Sequence, residues 1–164
     1  MGDRISSEEI EEPKRWTMQP IFSSIPFSIA RTVVVVDPDS MTVALIRHAL
    51  SGIGYAVSAF YDPQKALAFC ESGNVPVALV IIRIPLPGDT TGIALADAIA
   101  KRYPATKVIL LSHFDKATLL KLEGFGRYSR NHLAVPFTEQ TLIKMVRRVD
   151  GDEVPTVRNA RQSG

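Results

Sequence analysis

The fold is decided by the stretch Val-Ala-Leu-Val-Ile-Ile-Arg-Ile-Pro-Leu-Pro-Gly-Asp-Thr-Thr-Gly, residues 77–92. Its first six residues are all apolar, and they are bounded by Pro76 and by a loop rich in proline and glycine. A short run that is apolar on both faces is typical of a central strand in a parallel sheet, covered by helices on each side. Arg83 follows this run directly, so it lies at the carboxyl end of the strand, where open α/β sheets place their ligand chemistry.

Strand and helix patterns alternate along the rest of the chain. Besides the central run, an uninterrupted β-branched segment predicts a strand at residues 32–36, and further strands are predicted near residues 55–60, 107–111 and 130–135, the last of them an edge strand because of its polar start. Helical spacing predicts helices over residues 41–51, 64–71 and 92–102, from residue 115 to about 122 or 124, and over residues 138–148. The capping residues expected at their starts are Asp39 or Ser40, Asp62, Thr90 or Thr91, Asp115, and Thr138. Such alternation indicates a doubly wound parallel sheet with helices on both faces, an α/β fold. We therefore predict one domain over residues 31–149 and a polar C-terminal tail over residues 150–164.

The composition fits an ordinary globular protein and excludes several other classes. Of the 164 residues, 46% are apolar and 22% are charged, which is enough for a full core. A formal net charge of +2 is too small to indicate a nucleic-acid partner, and the single Cys70 excludes an intramolecular disulfide. No apolar run reaches the ~20 residues of a membrane span, and the N-terminus lacks the apolar region of a secretory signal. We expect a soluble, cytoplasmic protein.

Residues 1–30 form an N-terminal extension with two parts. The segment to about Glu12 is acidic, and an apolar arm interrupted by prolines follows it. The arm contains Trp16, Phe22 and Phe27 and is too apolar for a solvated linker. Two interpretations stay open: the arm lies on its own domain, or it is a docking or dimerisation arm, and a homodimer is one of the assemblies left open.

Polar side chains follow three of the predicted strands. In a doubly wound sheet the loops after the first and third strands meet at the topological switch point. Those loops carry Asp37, Asp39 and Arg83, and Ser112 closes the fourth strand at the same edge. The sequence therefore predicts a site at the carboxyl edge of the sheet.

Four separated motifs carry a family resemblance over residues 31–149. They are Val-Val-Val-Val-Asp at 33–37, the strand at 79–82 with Leu-Pro-Gly at 86–88, Ser112, and Pro-Phe at 136–137. In order and spacing they resemble the response-regulator receiver domain. The resemblance implies a flavodoxin-like five-stranded sheet of order 2-1-3-4-5, and a cis peptide bond before Pro136. Receivers accept a phosphoryl group on an aspartate after the third strand, with magnesium, an acidic pair, a Ser or Thr, and a lysine.

The resemblance fails at the positions that carry this chemistry. Arg83 stands where the phosphoacceptor is expected, Pro38 replaces one acid of the pair, and Val135 replaces the lysine. Only Asp37 and Ser112 keep the family's residue types. An arginine offers only donors and stays protonated, so it cannot be the nucleophile of an acyl phosphate. A guanidinium also repels magnesium, so we expect a degenerate pocket with no metal and no cofactor.

Arg83 has three interpretations at this point. It forms an ion pair with Asp37, shared in part with Asp39; or it turns to solvent; or it binds an anion together with the nearby helix N-termini. Asp89 is a further candidate, as a displaced phosphoacceptor, but its loop places it poorly.

Receivers signal chiefly through the face formed by the fourth helix, the fifth strand and the fifth helix. The cations expected there, called the basic face below, are Lys116, Lys121, Arg127, Arg130, Lys144, Arg147 and Arg148. They are either ordinary solvated helix charge or a docking surface for an acidic partner or for the acidic extension. The scattered histidines, His48, His113 and His132, are expected to be structural.

These observations favour a pseudo-receiver that is not an enzyme. We expect a stand-alone protein-interaction module of a two-component-type pathway that binds a protein partner independently of phosphorylation. One alternative is a phosphotransfer protein with a noncanonical acceptor, and another is a sensor that holds a small molecule or anion in the switch-point cleft. Nucleic-acid binding is disfavoured, because the chain has neither a helix-turn-helix pattern nor aromatics interleaved with the basic residues.

Overall fold

The computed structural model describes residues 30–86 and 91–151. The strands are β1 Arg31–Val36, β2 Tyr55–Phe60, β3 Val77–Arg83, β4 Lys107–Ser112 and β5 His132–Ala134. The helices are α1 Ser40–Ser51, α2 Pro63–Glu71, α3 Gly92–Arg102, α4 Lys116–Leu119 and α5 Glu139–Asp150, and a 3-10 helix, Phe125–Asn131, lies between α4 and β5. Within the two described ranges no helix is both long and apolar enough to cross a membrane. The arm residues Trp16, Phe22 and Phe27, and also Asp89, lie outside these ranges.

The five strands form one parallel sheet of order β2-β1-β3-β4-β5. This is the flavodoxin-like order that the sequence predicts, and the prediction is confirmed. The central strands β1 and β3 are neighbours, with Val33 opposite Leu79 and Val36 opposite Ile82. The residues that follow these two strands therefore leave the sheet side by side at its carboxyl edge.

Helices cover both faces of the sheet because the two central strands are apolar on both sides. On one face, α2, α3, α4 and the 3-10 helix pack against side chains such as Val34, Val80 and Leu110. On the other face, α1 and α5 pack against the alternate residues, such as Val35 and Ile81. The uninterrupted apolar runs in the sequence therefore correspond to strands that are buried from both sides.

Each helix begins at the capping residue that its sequence indicates. A side-chain oxygen at each cap accepts a hydrogen bond from a backbone N–H in the first turn. The caps are Asp39, Asp62, Thr91, Asp115 and Thr138.

The segment after β4 departs from the prediction. A helix to about residue 124 is expected, but α4 ends at Leu119 and a 3-10 helix begins at Phe125. Gly124, just before the 3-10 helix, has a φ of 83°, a left-handed conformation that glycine adopts readily and that redirects the chain there. Phe125 is then fully buried in the core and meets the ring of His132 edge-on at 5.6 Å between centroids. Burial of this aromatic side chain favours the turn over a longer α4.

The predicted tail begins one residue too early. Asp150, which the sequence assigns to the polar tail, is the last residue of α5. Its carboxylate accepts hydrogen bonds from Arg31 Nη2 at 2.7 Å and from the Tyr55 hydroxyl at 2.6 Å. These partners lie on β1 and β2, so the last turn of α5 is held against the amino end of the sheet. Most of the tail, residues 152–164, lies outside the described ranges.

We expect Gly92→Ala to lower the free energy of unfolding by about 2 kcal/mol, because it overpacks a close approach of helix and strand. A Cβ at Gly92, the first residue of α3, would lie 2.8 Å from the Arg83 carbonyl oxygen and would clash with the Ile84 side chain. Gly126→Ala is the matched control, since a Cβ there meets nothing within 4 Å. Urea denaturation measures both, and equal midpoints would contradict the packing argument.

Candidate functional site

A buried ion pair occupies the carboxyl edge of the sheet. Arg83, the last residue of β3, is 5% exposed, and Asp37, which follows β1, is fully buried. Arg83 Nε donates to Asp37 Oδ2 at 3.0 Å. The Asp37–Arg83 contact that the sequence predicts is therefore present, and the interpretation in which Arg83 turns to solvent is wrong.

The other two guanidinium nitrogens also have partners. Arg83 Nη2 donates to Thr42 Oγ1 at 3.0 Å, and Nη1 lies 3.1 Å from His113 Nε2. Because arginine can only donate, His113 Nε2 accepts this bond, and the neutral ring carries its proton on Nδ1. All three guanidinium nitrogens are hydrogen-bonded to groups of the protein and the residue is 5% exposed, so the contacts disfavour the interpretation in which Arg83 binds an anion.

Asp37 and Asp39 are tied into the same network. The second oxygen of Asp37, Oδ1, accepts from Asp39 N at 2.8 Å. Asp39 Oδ2 accepts from the Thr42 hydroxyl at 2.6 Å and lies 3.9 Å from Arg83 Nη2. The Thr42 hydrogen bond, and then the backbone N–H of Met41, lower the pKa of Asp39. The Thr42 hydroxyl thus accepts a hydrogen bond from the guanidinium and donates one to the Asp39 carboxylate. These two bonds use its single donor and one of its acceptor lone pairs.

The remaining predicted pocket residues do not contact Arg83 through a hydrogen bond. Ser112 is fully buried, and its Oγ accepts a hydrogen bond from Phe114 N at 3.0 Å. Its side chain therefore stabilises the loop that follows β4. Val135 is half-buried against the core under α1 and α5, and its N–H donates to the Ser112 carbonyl oxygen at 2.9 Å. The Val135–Pro136 bond is cis, as the resemblance implies, and Pro38 is exposed. The structure therefore brings Asp37, Asp39 and Arg83 into contact. The other three predicted pocket residues are outside this network of hydrogen bonds.

Sequence reasoning missed two members of this network. Thr42 lies in the first turn of α1, three residues after the Asp39 cap, and His113 follows β4 directly. Both positions border the carboxyl edge, so a search for every polar residue in the first turn of a helix or just after a strand would have found them. The sequence predicts only a structural role for His113, and its contact with Arg83 places it in the candidate site.

All seven cations of the basic face are exposed, but they differ in their hydrogen-bond partners. Arg127 donates to Asp97 Oδ2 of α3 at 2.7 Å, which draws its side chain toward α3 and away from α5. Arg148 of α5 donates to the carbonyl oxygen of Arg130, so these two lie together. The role of this face in binding a partner stays a prediction.

His132 lies at the edge of the same region, on β5. Its Nε2 is buried and has no hydrogen-bond partner among the residues that the structure describes. Burial lowers the pKa of His132, and the nearby Lys116 lowers it further. The ring is therefore neutral near pH 7 and behaves as an aromatic group packed on Phe125.

The order of the sheet agrees with one known family. The family profile described as the response regulator receiver domain matches residues 33–147. The chain belongs to this receiver family. The receiver is 30% identical over 117 residues to the DNA-binding transcriptional regulator NtrC of Salmonella typhimurium, covering 71% of this chain and 24% of NtrC.

A second relative is similar over a comparable length, and a solved structure shares the fold. The regulatory protein VanRc of Enterococcus gallinarum is 24% identical over 119 residues, covering 73% of this chain and 49% of VanRc. A response regulator from Thermotoga maritima superposes with a TM-score of 0.64 at 24% identity, covering 75% of this chain and 99% of that one. The chain thus spans about a quarter of NtrC and about half of VanRc. Together with the family profile, these comparisons identify the described domain as a receiver domain of two-component signalling.

The residues present do not fit the magnesium ion of this family. Both oxygens of Asp37 already accept hydrogen bonds, from Asp39 N and Arg83 Nε, and the guanidinium lies where a cation would bind. Magnesium needs free carboxylate oxygens at near-octahedral positions. In residues 30–86 and 91–151, His, Cys, Asp and Glu side chains form no group of three or more that could hold a metal.

Proposed function

We propose that this receiver is a pseudo-receiver: it takes up no phosphoryl group and acts as a protein-interaction module of a two-component-type pathway. The observation that carries the proposal is the buried Asp37–Arg83 pair at 3.0 Å. A receiver's chemistry needs a carboxylate nucleophile beside a metal-binding carboxylate, and here a guanidinium occupies that space. The proposal makes the chain a binding protein and not an enzyme.

The hydrogen bonds of Arg83 support a single conformational state. They join the end of β3 to the loop after β1, the first turn of α1 and the loop after β4. Moving any of these four segments relative to the others breaks a buried hydrogen bond, which costs on the order of 1–3 kcal/mol. The partner therefore recognises one fixed shape, and the exposed basic face is the surface that we propose it contacts. That the receiver works alone, and that it does so in the cytoplasm, stay predictions.

Acetyl phosphate with Mg²⁺, read by intact mass, tests this proposal. We expect no species heavier by one phosphoryl group, because Arg83 cannot form an acyl phosphate. A receiver with its acceptor aspartate and acidic pair intact, treated in parallel, is the positive control. A covalent phosphoryl group on any residue of the wild-type chain would overturn the proposal and support the phosphotransfer alternative.

A further inference from the structure

An apolar groove lies beside α4, on the face of the sheet opposite α1 and α5. It has a volume of about 590 Å³ and runs between the turn that follows β3 and the loop that follows α4. Its apolar lining includes Ile84, Leu86, Ile93, Phe114, Leu119 and Leu122. Phe114 and Leu122 are 50% and 47% exposed, which is unusual for large apolar side chains that lie together.

We propose that the groove is the docking site of this chain's own N-terminal arm, residues 13–22. That segment supplies side chains that match an apolar groove, namely Trp16, Met18, Ile21 and Phe22. Burying them together with Phe114 and Leu122 removes apolar surface from water on both sides, which is the main driving force for such contacts.

The connection to the domain is long enough. The arm joins the domain at Arg31, the start of β1, and the groove lies past the end of β3, at the opposite edge of the sheet. A six-residue strand spans about 20 Å, and eight extended residues reach about 26 Å. Residues 23–30 can therefore cross from Arg31 to the groove and leave residues 13–22 to occupy it.

Charge complementarity supports the same placement. The segment 2–12, which precedes the arm, carries five carboxylates and one arginine. The arm itself carries Lys14 and Arg15, and the lining of the groove includes the carboxylate of Glu123. The exposed Lys116 and Lys121 flank the apolar part of α4, and neither forms an ion pair among the described residues. An arm that lies in the groove brings its acidic end toward these cations, and opposite potentials favour this direction.

Tethering favours the chain's own arm over a second copy or a partner. A tethered segment meets the groove at an effective local concentration set by the length of its linker, which a free competitor must exceed. Docking of the arm does not depend on whether the pocket around Arg83 accepts a phosphoryl group. None of the groove residues named above forms a hydrogen bond with Arg83.

Trp16 provides the test, because it is the chain's single tryptophan. In the full chain we expect its emission to be blue-shifted and shielded from acrylamide. Leu122→Asp, which puts a charge into the groove, should shift the emission to the red and raise the quenching constant severalfold. Met41→Asp is the matched control, since Met41 is 77% exposed on α1, away from the groove, and should leave both readouts unchanged.

Three results would overturn the proposal. The first is equal quenching of Trp16 in the wild type and in Leu122→Asp, with Phe114→Asp as a second variant should the first fail to fold. The second is an emission that depends on protein concentration, which would make a second copy the occupant. The third is a Trp16 that is fully accessible in the wild-type chain, which would leave the groove to another partner.

Discussion

Replacing Arg83 by methionine is expected to lower the free energy of unfolding by about 3 kcal/mol, because removing one partner leaves a buried charge without compensation. Asp37 is fully buried and would lose the bond to Nε, and Thr42 and His113 would lose their guanidinium partner at the same time. Methionine keeps a similar length and fills most of the space, so the loss reports charge and hydrogen bonding more than volume. Urea denaturation at pH 7 measures the change.

A double-mutant cycle separates the ion pair from its surroundings. Asp37→Asn alone should also lower the free energy of unfolding. The double variant should lose clearly less than the sum of the two single losses, since each single change leaves the other charge buried and unpaired. Arg102→Met is the matched control, because Arg102 pairs with Glu71 at the surface and exposed pairs contribute about 0–1 kcal/mol. Additive effects, or an Arg83→Met loss no larger than that of Arg102→Met, would show that the buried pair does not hold the site together.

The sequence is sufficient for the parts of the fold that depend on local patterns. Two β-branched runs without polar interruption place β1 and β3 in the centre of the sheet, and each helix start follows from a single capping side chain. Asp115 shows the limit of this reasoning: it caps α4 as expected, but a cap does not determine where a helix ends. The end at Leu119 depends on burial of Phe125 against β5, a contact that no local pattern contains.

The candidate site divides in the same way. Asp37 and Arg83 are predictable as a pair, because opposite charges that follow neighbouring central strands have few other partners. The contacts to Thr42 and His113 depend on the direction in which the guanidinium points, which only packed side chains determine. The sequence pattern assigns Asp150 to the tail for a similar reason, since its partners on β1 and β2 lie far away in the sequence.

The second large effect is a gain of phosphorylation in a reconstituted pocket. The variant P38D/R83D/V135K places an aspartate at the end of β3, a second carboxylate beside Asp37, and a lysine after β5, as the receiver resemblance implies. We expect it to gain the mass of one phosphoryl group with acetyl phosphate and Mg²⁺, where the wild type gains none. The physical reason is that the aspartate introduced at the end of β3 would supply the nucleophile. Asp37 Oδ2, no longer held by the guanidinium, could then bind the ion.

The ion itself gives a readout that does not depend on phosphorylation. Four carboxylates at one edge, those of Asp37, Asp39 and the two introduced residues, repel one another, so the variant should be less stable than the wild type without Mg²⁺. It should be stabilised by about 2.7 kcal/mol when the ion is at 100 times its dissociation constant. The wild type should show no such response, because its guanidinium already neutralises Asp37. Adding Asp37→Asn to the variant is the control, and it should abolish both the response to Mg²⁺ and the gain in mass. If the folded variant binds Mg²⁺ and still takes up no phosphoryl group, the missing carboxylates are not what separates this chain from receivers that do.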